Sequence, residues 1–178
     1  MKRSLPALLL LLAACASITP SKNPEWDAVP APILSAFCSR VRGEGLSREA
    51  QMLLVKKTQP LISASSIRAL GEAFYRQGDS AMIAATLNNM LKPIPLTITA
   101  DGTCSWRAID TIDARRDHEM LVVQLSTPFV NPFARSEAGL FARMSVGGQA
   151  PQWYWIPVAE RNGQWAIGTV LPLDLHEE

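Results

Sequence analysis

Gln152-Trp153-Tyr154-Trp155-Ile156-Pro157-Val158-Ala159-Glu160-Arg161-Asn162-Gly163-Gln164-Trp165-Ala166-Ile167 is the stretch that decides the fold. Aromatic and β-branched residues dominate both arms, as strands require. Asn162-Gly163 between them is a two-residue turn whose backbone needs positive φ, the strongest short hairpin signal a sequence offers. The reading is a strand over residues 152–159 and a last strand over 164–171. Alternation places Trp153 and Trp155 on one face and Tyr154 on the other. Pairing across the turn sets Trp165 opposite the Ala159–Glu160 region, so contact with Trp155 needs a diagonal reach.

Working toward the N-terminus, the same alternation predicts strands over 96–100, 103–110, 120–125 and 140–146. Asp101-Gly102 reads as a hairpin turn between the first two, and a loop with Pro128 and Pro132 precedes the fourth. Residues 120–125 are apolar enough for a central strand. Before Pro95 the spacing is helical. A first helix over 31–42 carries Ile33, Leu34, Phe37, Cys38 and Val41 on one stripe, with Pro30 and Pro32 suited to its start. A second is expected from Ser47 to Lys57, carrying Met52, Leu53, Leu54 and Val55. A third begins near Ser63, carries Ile67, Leu70 and Phe74, and ends at Gly78. A fourth starts at Asp79, carries Met82, Ile83, Leu87, Met90 and Leu91, and stops before Pro93 and Pro95. Helices first and sheet second give an α+β fold, with the N-terminal helices packed on a curved, mainly antiparallel sheet.

The first residues carry a different message. Lys2 and Arg3 precede an apolar run over 5–12 that is too short to span the ~30 Å hydrocarbon core as a helix. The run ends in Leu12-Ala13-Ala14-Cys15, which resembles the lipobox of bacterial lipoprotein signal peptides. That resemblance implies removal of residues 1–14, a diacylglyceryl group on the Cys15 sulfur and acylation of the new terminus. Ala16, rather than Asp, follows the cysteine, and by the family's sorting rule this favours the outer membrane, facing the periplasm. Residues 15–30, rich in Ser, Thr, Pro, Lys and Asn, read as a lipidated cysteine and flexible tether, and 31–178 as a single domain. Trp26 is the tether's one large apolar group, expected to dock on the domain or to lie at the membrane interface.

Composition narrows the partners. The chain has 178 residues, with 17 basic and 16 acidic side chains. Without Lys2 and Arg3 the balance sits near neutrality, which leaves no electrostatic footprint for nucleic acid. Cys38 and Cys104 remain after processing. An oxidising compartment permits a disulfide between them, with two separately buried thiols as the other reading.

A second resemblance appears in the domain. Gly45-Leu46-Ser47, Leu61-Ile62-Ser63 and Ile67-Arg68-Ala69-Leu70 resemble a pattern in small envelope lipoproteins of the NTF2-like type. Gly163-Gln164-Trp165-Ala166-Ile167 looks like the Gly-x-Trp-x-Ile last strand of NTF2-like domains. The resemblance implies an NTF2-like (cystatin-like) cone. Four successive helices would depart from that family's commoner order, in which a strand interrupts the helices. No acid or tyrosine pattern of its enzymatic members is present.

Candidate chemistry is sparse. No nucleophile elbow, zinc-protease helix, Walker loop or dinucleotide fingerprint occurs. Asp110, Asp113, Asp117, His118 and Glu119 form the densest polar cluster and read as a solvated loop rather than a cation site. Two histidines, His118 and His176, make an imidazole metal site unexpected, and no cofactor or catalytic residue is assigned. Trp153, Trp155 and Trp165, with Phe141, Phe129 and Phe133 nearby, read either as aromatic core or as a docking patch or pocket mouth. The expectation is a non-enzymatic binding or accessory subunit of an envelope assembly, held to the membrane through its N-terminal lipid. The alternatives are a carrier of a small apolar ligand or lipid in the sheet concavity and an NTF2-like enzyme of unknown reaction. Trp106, Arg107 and Asp110 are the few polar or amphipathic residues near the cone floor.

Overall fold

The computed structural model describes residues 24–43, 52–71, 77–98, 106–113, 120–134, 137–146 and 149–175. In chain order they form helix α1 (Ala31–Gly43), strand β1 (Met52–Val55), helices α2 (Ala64–Leu70) and α3 (Gln77–Met90), and strands β2 (Trp106–Ile109), β3 (Leu121–Leu125), β4 (Phe129–Val130), β5 (Ala138–Val146), β6 (Gln152–Arg161), β7 (Gln164–Ile167) and β8 (Leu171–Leu173). The strands make one sheet in the order β2-β1-β3-β5-β6-β7, with β4 also paired to β5 and β8 to β6. β1 runs parallel to both β2 and β3, and every other pairing is antiparallel. The fold is α+β, with a strongly curled sheet that forms a half-barrel.

Two bulges explain part of the curl. Leu125 faces Ala142 and Phe129 faces Gly139, so residues 126–128 answer only two residues of β5. β3 and β4 are thus one strand interrupted by an inserted residue. The Ser126 N–H donates to the Phe141 carbonyl at 2.9 Å. The Phe141 N–H donates to the Ser126 hydroxyl, also at 2.9 Å, where an unbroken ladder would offer a carbonyl. On the far side of the sheet, Ile167 faces Val158 and Leu171 faces Trp155. Residues 168–170 therefore answer two residues of β6, one of them Pro157. Proline has no N–H to give, and the bulge falls where the ladder lacks that donor. Gly168 N–H donates to the Pro157 carbonyl at 2.8 Å and closes the gap. Each bulge bends its strand and adds right-handed twist.

Alternation divides the sheet cleanly. One face carries Met52, Leu54, Leu121, Val123, Leu125, Leu140, Ala142, Met144, Tyr154, Ile156 and Val158, and α1 covers it with Ile33, Leu34, Phe37, Cys38 and Val41. All five α1 residues named from their spacing are buried. Phe37 meets Tyr154 edge to face at 6.1 Å, so side chains fill the space between α1 and this face of the sheet. The other face carries Phe129, Phe141 and Trp155 under α2 and α3, which contribute Ile67, Leu70, Ile83, Ala84 and Leu87.

Several elements depart from the sequence reading. Met52 to Val55 is a strand, not part of a helix from Ser47, a residue outside the described set. All four residues are buried, two on each face, between parallel neighbours. A continuous apolar run suits such a strand as well as it suits a helix turn. A strand therefore does interrupt the helices. The third helix starts at Ser63 as expected. The Ser63 hydroxyl accepts from the Ser66 N–H, and the Ser66 hydroxyl accepts from the Ser63 N–H, a reciprocal cap. It stops at Gly71, well before Gly78, which lies in the first turn of α3. Phe74 is outside the described residues.

Residues 96–100 form no ladder strand within the described part. Pro95 and Leu96 make single bridges to Lys57 and Val29. Pro93 and Pro95 cannot donate, and the Ile94 N–H is taken by the Thr58 hydroxyl at 2.9 Å. Asp101-Gly102 lies outside the described residues, and the strand after it pairs parallel with β1 rather than with residues 96–100. The loop expected around Pro128 and Pro132 contains β4. The expected last strand is split at Gly168 into β7 and β8. Asn162 and Gly163 adopt φ of 53° and 75°, the hairpin turn as read. β3 is central, between β1 and β5.

Candidate functional site

The aromatic residues singled out from the sequence separate into three places. Phe129, Phe141 and Trp155 come together in the interior. Phe141 and Trp155 are direct partners across β5 and β6. Their ring centroids lie 5.2 Å apart, and Phe129 sits 5.6 Å from Phe141 and 5.3 Å from Trp155. All three are essentially inaccessible. Phe133 and Leu173 pack at the margin of this cluster. The helix pair α2–α3 covers it, and so Trp155 and Phe141 form a core cluster rather than a pocket mouth or a docking patch.

Trp153 shares the face of Trp155, as alternation requires, but stands beside a polar row. Gln124, Arg143 and Trp153 are register partners across β3, β5 and β6. Arg143 donates to the Gln124 side-chain oxygen at 3.1 Å, and its guanidinium lies over the Trp153 ring, 5.9 Å from the centroid. Trp153 is only 7% exposed. The indole nitrogens of Trp153 and Trp155 are buried without a hydrogen-bond partner, an uncommon arrangement for a donor.

Trp165 stands opposite Glu160, in the register read from the turn, and makes its ring contact with Trp26, not with Trp155. The two rings meet edge to face at 5.0 Å and 85°. Trp26 thus docks on the domain. Residues 24–30, assigned to the tether by composition, are seated against it: Pro24 and Val29 are buried. Apolar rings and two backbone bonds at Val29 outweigh the two prolines and two acidic residues there.

Among the described residues, a pocket of roughly 100 Å³ lies where the β1–α2 link, the C-terminal end of α3 with the residues after it, and the β3–β4 link converge, lined by Gln59, Pro60, Ile62, Asn88, Leu91, Pro93 and Thr127. Its polar groups are engaged within the fold. Asn88 Nδ2 donates to the Ile62 carbonyl at 2.7 Å, and the Thr127 hydroxyl to the Lys92 carbonyl at 3.0 Å. Sites for drug-sized ligands usually occupy about 300–1,000 Å³, so this pocket suits a side chain or a few waters.

Of the acidic cluster, Asp110 and Asp113 are among the described residues. Asp110 pairs with Lys56 at 3.1 Å, both side chains largely exposed. Asp113 is also exposed, and Asp117, His118 and Glu119 are outside the described residues, as is His176. Among the described residues no group of His, Cys, Asp and Glu is placed to hold a metal ion. Trp106 packs partly buried on the α1 side of the sheet, and Arg107 next to it is exposed, so the two point oppositely.

The outer face of α3 was not recognised from the sequence. Ala81, Met82, Ala85, Thr86, Asn89 and Met90 are exposed, with no charged side chain between Asp79 and Lys92. Met82 and Met90 are 65% and 67% exposed. The lack of charge over α3 is its signal in the sequence, although helical spacing alone places both methionines on the apolar stripe. Cys38 is fully buried on α1, while Cys15 and Cys104 lie outside the described residues. No described helix is long and apolar enough to cross a membrane. No protein-family model, curated protein or solved structure matches this chain.

Proposed function

We propose that the chain is a periplasmic lipoprotein of the outer membrane whose domain is a non-enzymatic binding or accessory subunit of an envelope assembly, built on an NTF2-like plan. The observation that carries the anchor is Leu12-Ala13-Ala14-Cys15, placed after Lys2-Arg3 and a short apolar run. Two or three acyl chains hold a protein stably where one chain does not, because each buried methylene contributes ~0.8 kcal/mol. The strand β1 between α1 and α2 supports the NTF2-like plan, since it restores the commoner order of elements. Two features support a contact role over ligand carriage: α1 fills one face of the sheet, with Phe37 packed on Tyr154, and α3 presents an uncharged outer face.

The anchor is tested by feeding cells an alkyne-tagged palmitate and fractionating their membranes. The wild-type chain takes up label and sediments with the outer membrane; Cys15→Ser is unlabelled and no longer processed to the lipidated form. Label on the serine variant removes Cys15 as the acylation site. The contact role is tested by photo-crosslinking from Met82 and Met90 positions in intact cells. A discrete protein adduct at these sites, absent from a control at Glu160, supports it; no adduct at either methionine argues against α3 as the contact surface.

A further inference from the structure

Residues 24–30 are attached to the domain in two unlike ways. Val29 is held by backbone: its N–H donates to the Pro95 carbonyl at 2.9 Å, and its carbonyl accepts from the Thr97 N–H at 3.0 Å. It is completely buried. Trp26 is held by side-chain packing, its ring edge to face on Trp165 and against the margin of the core under α1. Its indole N–H is buried and has no acceptor. Among the described residues no backbone hydrogen bond joins residues 24–28 to the domain. Water would supply the acceptor that the seat withholds, so opening recovers a hydrogen bond that closure forfeits. Glu25 and Asp27, flanking the ring, already face solvent.

We propose that residues 24–28 are a releasable strap, hinged at Val29 and latched by Trp26 on Trp165, that sets how far the domain stands from its N-terminal anchor. The reach rests on the lipid anchor proposed at Cys15. At ~3.4 Å per residue, the sequence separation between Cys15 and Pro24 limits their distance to ~31 Å, the bound that applies with the strap closed. With it open the separation that counts is that from Cys15 to Val29, which allows at most ~48 Å. Release adds ~17 Å of reach and uncovers Trp165 on β7, without disturbing the backbone bonds of Val29. The domain itself stays folded, because Trp26 and Trp165 lie partly buried at the margin of the core under α1, at the β7 edge of the sheet, and its fully buried residues pack on one another.

Glu25 makes the strap measurable, because a protease specific for glutamate must draw several extended residues around it into its active site. The experiment digests the full-length chain in isolated membranes and follows cutting after Glu25. Trypsin cutting after Lys22, outside the strap, and at Arg143, within the sheet, provides the controls. Trp165→Ala is expected to speed cutting at Glu25 about three- to tenfold, the equivalent of one aromatic pair, with Lys22 cut as before and Arg143 still resistant. Equal cutting at Glu25 in the variant and the wild type overturns the strap. Where Trp165→Ala also opens Arg143 and so has lost its fold, Trp26→Ala is cut before Asp27 by an aspartate-specific protease and read the same way. A soluble chain that keeps the Glu25 difference overturns the anchor and leaves the strap standing. A membrane-bound chain without the difference overturns the strap alone.

Discussion

Gly139 lies directly against the Trp155 ring: a Cβ at residue 139 would stand 2.7 Å from Trp155 Cη2 and 2.6 Å from the Ile156 carbonyl oxygen. The first contact is with a ring already enclosed by Phe129 and Phe141, and the second is with backbone. Neither can yield cheaply in an interior packed as densely as an organic crystal. Gly139→Ala is therefore expected to destabilise the domain by ~3 kcal/mol, the upper part of the range for overpacking. A urea melt followed by far-ultraviolet circular dichroism measures it. A midpoint unchanged from wild type means that the sheet opens at β5 and that the aromatic cluster is looser than its geometry implies.

Ser126 stands in for a carbonyl that the ladder lost. Its hydroxyl accepts from the Phe141 N–H, and both residues are fully buried. Ser126→Ala keeps the volume close but leaves that amide without a partner, which costs ~1–3 kcal/mol. Thr58→Val makes a parallel test at the neighbouring junction, where the Thr58 hydroxyl accepts from Ile94 N–H and meets the Thr127 hydroxyl at 2.7 Å. Amide hydrogen exchange distinguishes the two sites. Phe141 is expected to lose protection in the serine variant and Ile94 in the threonine variant. Loss of protection across the whole sheet in either variant would falsify the local account.

How far the fold could be read follows from which forces act locally. The α1 stripe and the Asn162-Gly163 turn were legible because each is set by neighbours in sequence: a helical repeat, and a backbone that needs positive φ. Met52 to Val55 was not, because four apolar residues in a row carry no period. Only burial between β2 and β3 makes them a strand. β4 was hidden because its ladder begins beyond a bulge, and the break at Gly168 because the missing donor of Pro157 matters only once β6 has a partner on that edge. For the aromatic set, alternation gave the correct faces of Trp153, Tyr154 and Trp155, and the turn gave the register of Trp165. Which rings would be covered depended on α2 and α3 packing across the sheet, a contact between distant parts of the chain.

Asp110 offers a test of the polar cluster. Its carboxylate meets the Lys56 ammonium at 3.1 Å, but both groups are wet, with side-chain exposures of 80% and 48%. Such pairs contribute little after side-chain entropy and salt screening are counted. Asp110→Asn is expected to leave stability within ~0.5 kcal/mol of wild type, with no change in the melting curve between low and high salt beyond that of the parent. A larger loss, removed by salt, would mean that the cluster acts as a coupled network and not as a solvated loop.

Cys38 is completely buried in the α1 stripe, where a free thiol would behave as a small apolar side chain. Burial alone therefore does not separate a thiol from a disulfide, and alkylation of the native protein cannot either. The expected bond to Cys104 closes a long loop, which in the chain-entropy model stabilises by ~4 kcal/mol, less any strain. Such a bond would tie α1 to the stretch entering β2, a strand whose described residues sit at the edge of the sheet with β1 as their single neighbour. The decisive measurement unfolds the oxidised Cys15→Ser chain in denaturant, alkylates it, and weighs it intact with and without prior reduction. A bridged protein takes up no alkyl group until it is reduced, and then takes up two. Cys104→Ser should then lower the denaturation midpoint and leave one reactive thiol at residue 38. Uptake of two groups without reduction removes the bridge, and Cys38 is then only a core residue of α1.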